Sequence, residues 1–272
     1  MDGCATQARC SSSNDSARSS ETSARGIAFA SDFDGTLCAE GTWCSFDERD
    51  IDAIRAFRAR GGLFGISTGR SVGGLIHAIN ASQAPLALDF IIAATGSYVV
   101  DGTGRCILKA EANLTALAQV IDRFGPTYPL VVQGGDHMYT FSAPARDQVH
   151  IDSLQDMAGA LGVSLRCTSP QDAQEVAAWI NTQLGQDLVA YENVRNVDVV
   201  GRGSSKGRAL RAVKAHVSAE QTAAIGDSYN DLSMLISADT AFTFADAPDV
   251  VKARVDKIVS SVSEALAFVQ DL

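Results

Sequence analysis

The chain predicts an α/β fold, a parallel sheet with helices on both faces, interrupted by an inserted α+β module. Three observations carry this reading. Apolar runs of strand length alternate with amphipathic stretches of helical length over residues 26–94, and again after residue 203. Between the two, the rhythm breaks into hairpin signals mixed with helices. Glycine-containing polar turns follow the apolar runs, at the strand ends where open α/β sheets gather their ligands.

The first run, 26–30, leads into Ser31-Asp32-Phe33-Asp34-Gly35-Thr36-Leu37. In extended backbone, residues two apart point to the same side, so Asp32 and Asp34 would face one spot. Two such anions resist burial unless a cation or a shared proton neutralises them. Gly35 lets the backbone turn and approach a ligand closely. A divalent metal with oxygen ligands, beside a carboxylate free to act as nucleophile or general acid, fits this pattern. A turn with solvated Asp caps fits it too. Residues 46–60 carry Phe46, Ile51, Ile54 and Phe57 between charges, an amphipathic helix ending at Gly61-Gly62. The second strand, 63–67, delivers Thr68-Gly69-Arg70 to a helix N-terminus, where unpaired amides favour a phosphoryl group. Ordinary capping is the alternative. The third strand is 90–94.

The insert reads as a hairpin of 98–101 and 106–109 around Gly102-Thr103-Gly104, a helix over 114–124, and a second hairpin of 130–133 and 138–141 around Gly134-Gly135. A helix over 146–161, a strand at 163–167, a helix over 170–184 and strands at 188–191 and 197–200 follow. Boundaries near Gly96 and Val197 divide the chain into a tail, 1–25, a core, 26–96 and 198–272, and the insert, 97–197. After the insert, Gly203-Ser204-Ser205-Lys206-Gly207 opens a helix over 208–217. Lys206 sits at the positive end of that helix, unfavourable for a cation unless an anion is bound there. A surface lysine is the alternative. The strand 222–225 runs into Gly226-Asp227-Ser228-Tyr229-Asn230-Asp231, and a helix starts with Leu232, Met234 and Leu235. Strands at 241–244 and 257–259 and a helix over 264–269 complete the sheet.

Composition narrows the function classes. At 272 residues, 46% hydrophobic and 20% charged, the chain is an ordinary globular one long enough for more than one domain. A net charge of −10 argues against nucleic-acid binding through bulk positive charge. The six cysteines have no C-x-x-C spacing and the four histidines are dispersed, so free thiols of a reducing, cytoplasmic compartment are expected, with no zinc site. No run of about 18 apolar residues predicts a membrane span. The serine-rich stretch 1–25 predicts a disordered tail. An organellar targeting peptide is the alternative, opposed by Asp2, Asp15 and Glu21.

Each polar turn is ambiguous by itself, but the four occur in order. In this arrangement the sequence resembles the haloacid dehalogenase-like superfamily of aspartate-nucleophile phosphotransferases. Asp32-Phe33-Asp34-Gly35-Thr36-Leu37 matches the first motif, Thr68 with Gly69 the second, Lys206 the third, and Gly226 to Asp231 the fourth. The large insert resembles the α+β cap of the Cof-type branch, which includes sugar phosphatases. The resemblance implies a Rossmann-like core and a magnesium-dependent phosphatase acting on a small phosphorylated metabolite, as a monomer or homodimer without nucleic-acid or membrane partners. It implies that Asp32 is the nucleophile and Asp34 the general acid-base. Magnesium would be held by the Asp32 carboxylate, the Asp34 main-chain carbonyl and Asp227. Thr68, Gly35, Gly69 and Lys206 would bind the phosphoryl oxygens with Asn230, while Asp231 orients Lys206 or a metal-bound water.

Two positions depart from the pattern. Thr95-Gly96 stands where Asn-Gly is usual, and Phe244-Ala245-Asp246-Ala247 where Gly-Asn-Ala is common. Selectivity is expected from the cap, where Asp136, His137, Asn193 and Arg195 are candidates, each with a solvated loop residue as the alternative; Arg70 reads either as a substrate contact or as the partner of a carboxylate. A phosphomutase of the same fold and a non-catalytic phospho-ligand sensor are the rival functions.

Overall fold

The computed structural model describes residues 26–38, 45–82, 86–145, 148–157 and 159–270. The stretch 1–25 lies outside them. In chain order the first part comprises β1 (Ile27–Asp32), α1 (Glu48–Ala59), β2 (Leu63–Ser67), α2 (Val72–Ala81), β3 (Phe90–Ala93), β4 (Tyr98–Asp101) and β5 (Cys106–Lys109). The insert holds α3 (Leu114–Phe124), β6 (Leu130–Gln133), β7 (Met138–Thr140), β8 (Gln148–His150), β9 (Gly162–Arg166), α4 (Pro170–Gln183), β10 (Leu188–Asn193) and β11 (Asn196–Gly201). The chain closes with α5 (Lys206–Val217), β12 (Gln221–Ile225), α6 (Leu232–Ser237), β13 (Thr240–Phe244), α7 (Asp249–Lys252), β14 (Lys257–Val259) and α8 (Val262–Gln270).

An eight-stranded sheet runs in the order β14-β13-β12-β1-β2-β3-β4-β5, parallel from β14 to β3. All six residues of β1 are buried, as a strand covered on both faces requires. Phe29 turns to one face. There it stacks on Phe64 and Phe242, with ring centroids 5.8 and 6.2 Å away, in a cluster that includes Phe57 of α1, Leu75 of α2 and Leu266 of α8. Ala28 and Ala30 turn to the other, joining Leu210 and Val213 of α5 and Met234 of α6. Each buried aromatic or aliphatic side chain contributes about 1.5–3 kcal/mol, so these two layers hold the sheet between them.

The hairpin β4–β5, expected in the insert, instead extends this sheet antiparallel to β3. The reason is burial on both sides. Val99 belongs to the cluster on one face and Val100 to that on the other, which only the larger sheet can cover.

The insert builds its own six-stranded sheet, β10-β11-β9-β6-β7-β8. One face is apolar: Val132, Val163, Leu165, Val197 and Val199 pack with Leu117 and Val120 of α3 and Val176 and Ile180 of α4. The alternate residues Gln133, Ser164, Arg166, Asn196 and Asp198 take the opposite face. The helix expected over 146–161 is absent from the described residues there. Gln148–His150 pairs with Met138–Thr140 as a strand, and Leu154–Asp156 makes a single 3-10 turn. Ser153 and Asp156 close a capping box on that short turn, and Gly159 at φ 105° cannot continue a helix. Hydrogen bonds to backbone carbonyls seat the insert on the core. Val72 and Gly73 at the start of α2 donate N–H groups to the carbonyls of Gly135 and Asp136, each at 2.9 Å. Tyr191 Oη donates to the Ser204 carbonyl at 2.8 Å.

Candidate active site

The chain winds from β1 through β2 to β3 in one direction and from β12 through β13 to β14 in the other. The crevice between β1 and β12 is therefore the topological switch point, where ligands of open sheets bind. Asp32 is the last residue of β1, and Asp227 lies just beyond the end of β12.

Lys206 opens α5, behind its N-cap Ser205, and is fully buried. It is no surface lysine. Its ammonium lies 2.5 Å from Asp32 Oδ1 and 2.6 Å from Asp231 Oδ1, which offsets the unfavourable helix end. The second Asp231 oxygen accepts the N–H groups of Asp227 and Ser228, each at 3.1 Å, so this carboxylate ties the fourth-motif loop to the lysine. Burial alone would push the Lys206 pKa down, but Asp231 and Asp32 more than reverse it and the lysine stays charged. Burial and the neighbouring Asp231 raise the Asp32 carboxyl above its ordinary range, against the pull of Lys206.

Oxygens of Asp32, Asp227 and Asp231 lie within 4.8 Å of one another. Three carboxylates against one ammonium leave an excess of negative charge, and every donor is oxygen, which fits a hard divalent cation. Gly35 takes φ 88°, and a Cβ there would stand 3.0 Å from Asp227 Oδ2, so the first-motif turn presses directly on this cluster. Thr36 Oγ1 donates to Asp227 Oδ1 at 2.7 Å across the crevice.

Asp34 lies outside that cluster. Arg70 grips its carboxylate with a two-pronged fork, Nε at 2.8 Å and Nη2 at 2.6 Å, while the guanidinium stands 5.4 Å from the Phe33 ring centre. Asp32 and Asp34 nevertheless open onto one cavity of about 940 Å³, together with Thr68, Gly69 and Asn230. The buried Thr68 hydroxyl accepts the Arg70 N–H at 3.1 Å, which shapes the second-motif turn. The polar face of the insert's sheet forms the roof, with Gln133, Ser164, Arg166 and Asp198 among the lining residues. Of the four cap candidates, Asn193 and Arg195 line the cavity. Asp136 and His137 do not, because their loop is docked on α2 through the Asp136 carbonyl.

Sequence reasoning overlooked the roof. The signal was the alternation of apolar and polar residues over Val163-Ser164-Leu165-Arg166 and Asn196-Val197-Asp198-Val199, which marks two-faced strands. It also left Thr95 without a task. Thr95 takes a left-handed conformation, φ 51° and ψ 36°, costly for a β-branched residue, and donates its hydroxyl to Asp198 Oδ2 at 3.0 Å.

Comparison with known proteins bears on the family and the fold. The chain is 28% identical over 259 residues to the pyridoxal phosphate phosphatase YbhA of Escherichia coli, covering 85% of this chain and 92% of the relative. Among solved structures, a haloacid dehalogenase-like hydrolase from B. subtilis superposes with a TM-score of 0.76 at 20% identity, over 90% of this chain and 99% of that one. The subclass IIB sugar phosphatase BT4131 superposes at 0.70, also at 20% identity, over 89% and 98%. The family model for haloacid dehalogenase-like hydrolases spans residues 29–268, and the chain belongs to that family of enzymes.

Proposed function

We propose that the protein is a magnesium-dependent phosphomonoesterase that hydrolyses a small phosphorylated metabolite, a sugar phosphate, through an aspartyl-phosphate on Asp32. The observation that carries this is the placement of Asp32: at the switch point, backed by Lys206 at 2.5 Å and open to the cavity that also holds Asp34, Thr68 and Asn230. One Asp32 oxygen attacks phosphorus as the bond to the leaving oxygen breaks. Asp34, protonated and released from the Arg70 fork when substrate binds, gives a proton to the departing alcohol. In the second half-reaction Asp34 takes the proton of a water that attacks the same phosphorus, which releases inorganic phosphate and restores Asp32. Thr68 and the amides near Gly35 and Gly69 bind phosphoryl oxygens, Lys206 balances their charge, and Asp231 holds Lys206 in place. Magnesium, held by the Asp32 and Asp227 carboxylates and the Asp34 main-chain carbonyl, would neutralise the repulsion between nucleophile and substrate.

The activities for which the relatives are named, on pyridoxal phosphate and on a sugar phosphate, support a small phosphoester, and the cavity is of metabolite size. We place the cap at 110–201, between the last strand of the larger sheet and α5. No helix among the described residues is long and apolar enough to cross a membrane. We place the protein's action in the cytoplasm, a reducing compartment that the free thiols of Cys106 and Cys167 support. Incubation with a panel of sugar, polyol, vitamin and nucleotide monophosphates plus magnesium should release inorganic phosphate stoichiometrically. Isomerisation of a sugar phosphate without release would show a mutase, and no reaction with any ester would show a binding protein.

A further inference from the structure

One buried acceptor in the roof of the cavity lacks a donor among the described residues. Gln133 is buried, and its amide nitrogen is committed twice, to the Gly69 carbonyl and to Ser164 Oγ, each at 3.1 Å. Ser164 Oγ donates in turn to Asp198 Oδ1 at 2.6 Å, and Thr95 Oγ1 donates to Asp198 Oδ2 at 3.0 Å. This relay fixes the direction of the Gln133 amide. Turned over, its oxygen would face the Gly69 carbonyl oxygen and lose both bonds. Held as it is, Gln133 Oε1 is buried and has no hydrogen-bond partner among the described residues, on a side chain that lines the cavity. Asp198 is likewise buried and lines the same cavity, and among the described residues no cation pairs with it. A Cβ on Gly69 would stand 2.7 Å from Asp198 Oδ2, so the relay lies directly against the second-motif turn. Buried acceptors without donors are costly, and a ligand that supplies the donor recovers that cost.

We propose that Gln133 is a specificity-determining residue of the phosphatase, its Oε1 selecting leaving groups that carry a hydroxyl or N–H donor close to the phosphoester. Ser164 and Asp198 act as positioning residues that hold the amide in its acceptor-forward direction. This rests on the phosphomonoesterase reading and adds the substrate feature the cap recognises. A site built to bond a substrate hydroxyl discriminates strongly against the analogue that lacks it, because its own polar group is then stranded.

The test compares glycerol 1-phosphate with propyl phosphate, esters of the same chain length that differ in two hydroxyls. The unaltered protein should prefer the glycerol ester by about tenfold or more in kcat/KM, within the range for one stranded polar group. In Gln133→Met the ratio of the two kcat/KM values should fall to within about threefold of unity, mainly through KM. Asp198→Asn should lower the same ratio in part, because one of its two hydroxyl partners loses its acceptor. Ethanolamine phosphate in parallel separates N–H from O–H donors. A ratio that stays within about twofold of the unaltered value in folded Gln133→Met overturns the proposal, as does an unaltered protein indifferent to the hydroxyls. Should Gln133→Met fail to fold, the unaltered preference and the Asp198→Asn ratio decide between the same outcomes. Failure of the unaltered protein to hydrolyse any ester overturns the phosphatase reading itself.

Discussion

Replacing Lys206 by Met keeps an unbranched side chain one atom shorter and removes its charge. The ammonium is completely buried between Asp32 and Asp231, at 2.5 and 2.6 Å, so the substitution leaves two carboxylates facing each other without their cation. Removing one partner of a buried ion pair costs about 3–5 kcal/mol. For a protein of this size each kcal/mol moves the melting temperature by about 2–4 °C, so a drop of about 6–20 °C is expected in EDTA at pH 7.5. The loss should also depend on pH. Burial and Asp231 raise the Asp32 carboxyl, and Lys206 opposes them; without the lysine the rise is greater. A folded state with a raised carboxyl pKa binds more protons than the unfolded chain between the two pKa values. Its stability therefore falls as pH rises through that window, and the deficit of Lys206→Met should be largest near pH 8 and shrink toward pH 5. Magnesium should recover more of the melting temperature in the variant than in the unaltered protein, since on the proposed reading it would bind the carboxylate cluster in the folded state alone. Calorimetry across pH with and without magnesium measures all three effects. A variant that melts within about 2 °C of the unaltered protein at pH 7.5, or a deficit constant from pH 5 to 8, would refute this account of the buried triad.

Asp32→Asn should lower phosphate release by at least about 10⁴-fold and leave the fold intact, because Lys206 keeps its bond to Asp231; retained turnover by quenched-flow assay would remove the covalent step. Chelation with EDTA should stop turnover and added magnesium restore it, and indifference to chelation would take the metal out of the mechanism. Gly96→Ala should be damaging out of proportion to its size: Gly96 has φ 88° and an added Cβ would sit 2.2 Å from the Ser205 carbonyl oxygen, forcing the N-cap of α5 and Lys206 to move. Thermal melting and turnover should fall together in that variant, and normal values in both would show that the close approach is dispensable.

The larger sheet was legible because its strands, buried on both faces, are written as continuous apolar runs, and the four polar turns mark their ends. The convergence of Asp32, Asp227, Asp231 and Lys206 followed from topology, since residues far apart in sequence share one end of a parallel sheet. Less was legible where a local pattern supported two outcomes. Tyr98–Lys109 reads as a hairpin in any setting, and only the two-sided burial of Val99 and Val100 assigns it to the larger sheet. The stretch after 146 has apolar spacing compatible with a helix, yet Ser153, Asp156 and Gly159 bend the backbone into a short turn. The Arg70 fork on Asp34 and the Thr95 bond to Asp198 are tertiary contacts between distant segments, which no periodicity encodes.

Interruption of the core by the insert orders its assembly. Strand β1 finds β2 soon after synthesis, but its other neighbour, β12, emerges only when the whole insert has been made. Pairing Ala28 with Thr222 is a non-local step, slow to nucleate, whereas the insert's apolar cluster draws only on residues 112–199 and can collapse by itself. Asp32 is thus made long before Asp227, and the acidic crevice cannot close until the chain beyond the insert has been synthesised.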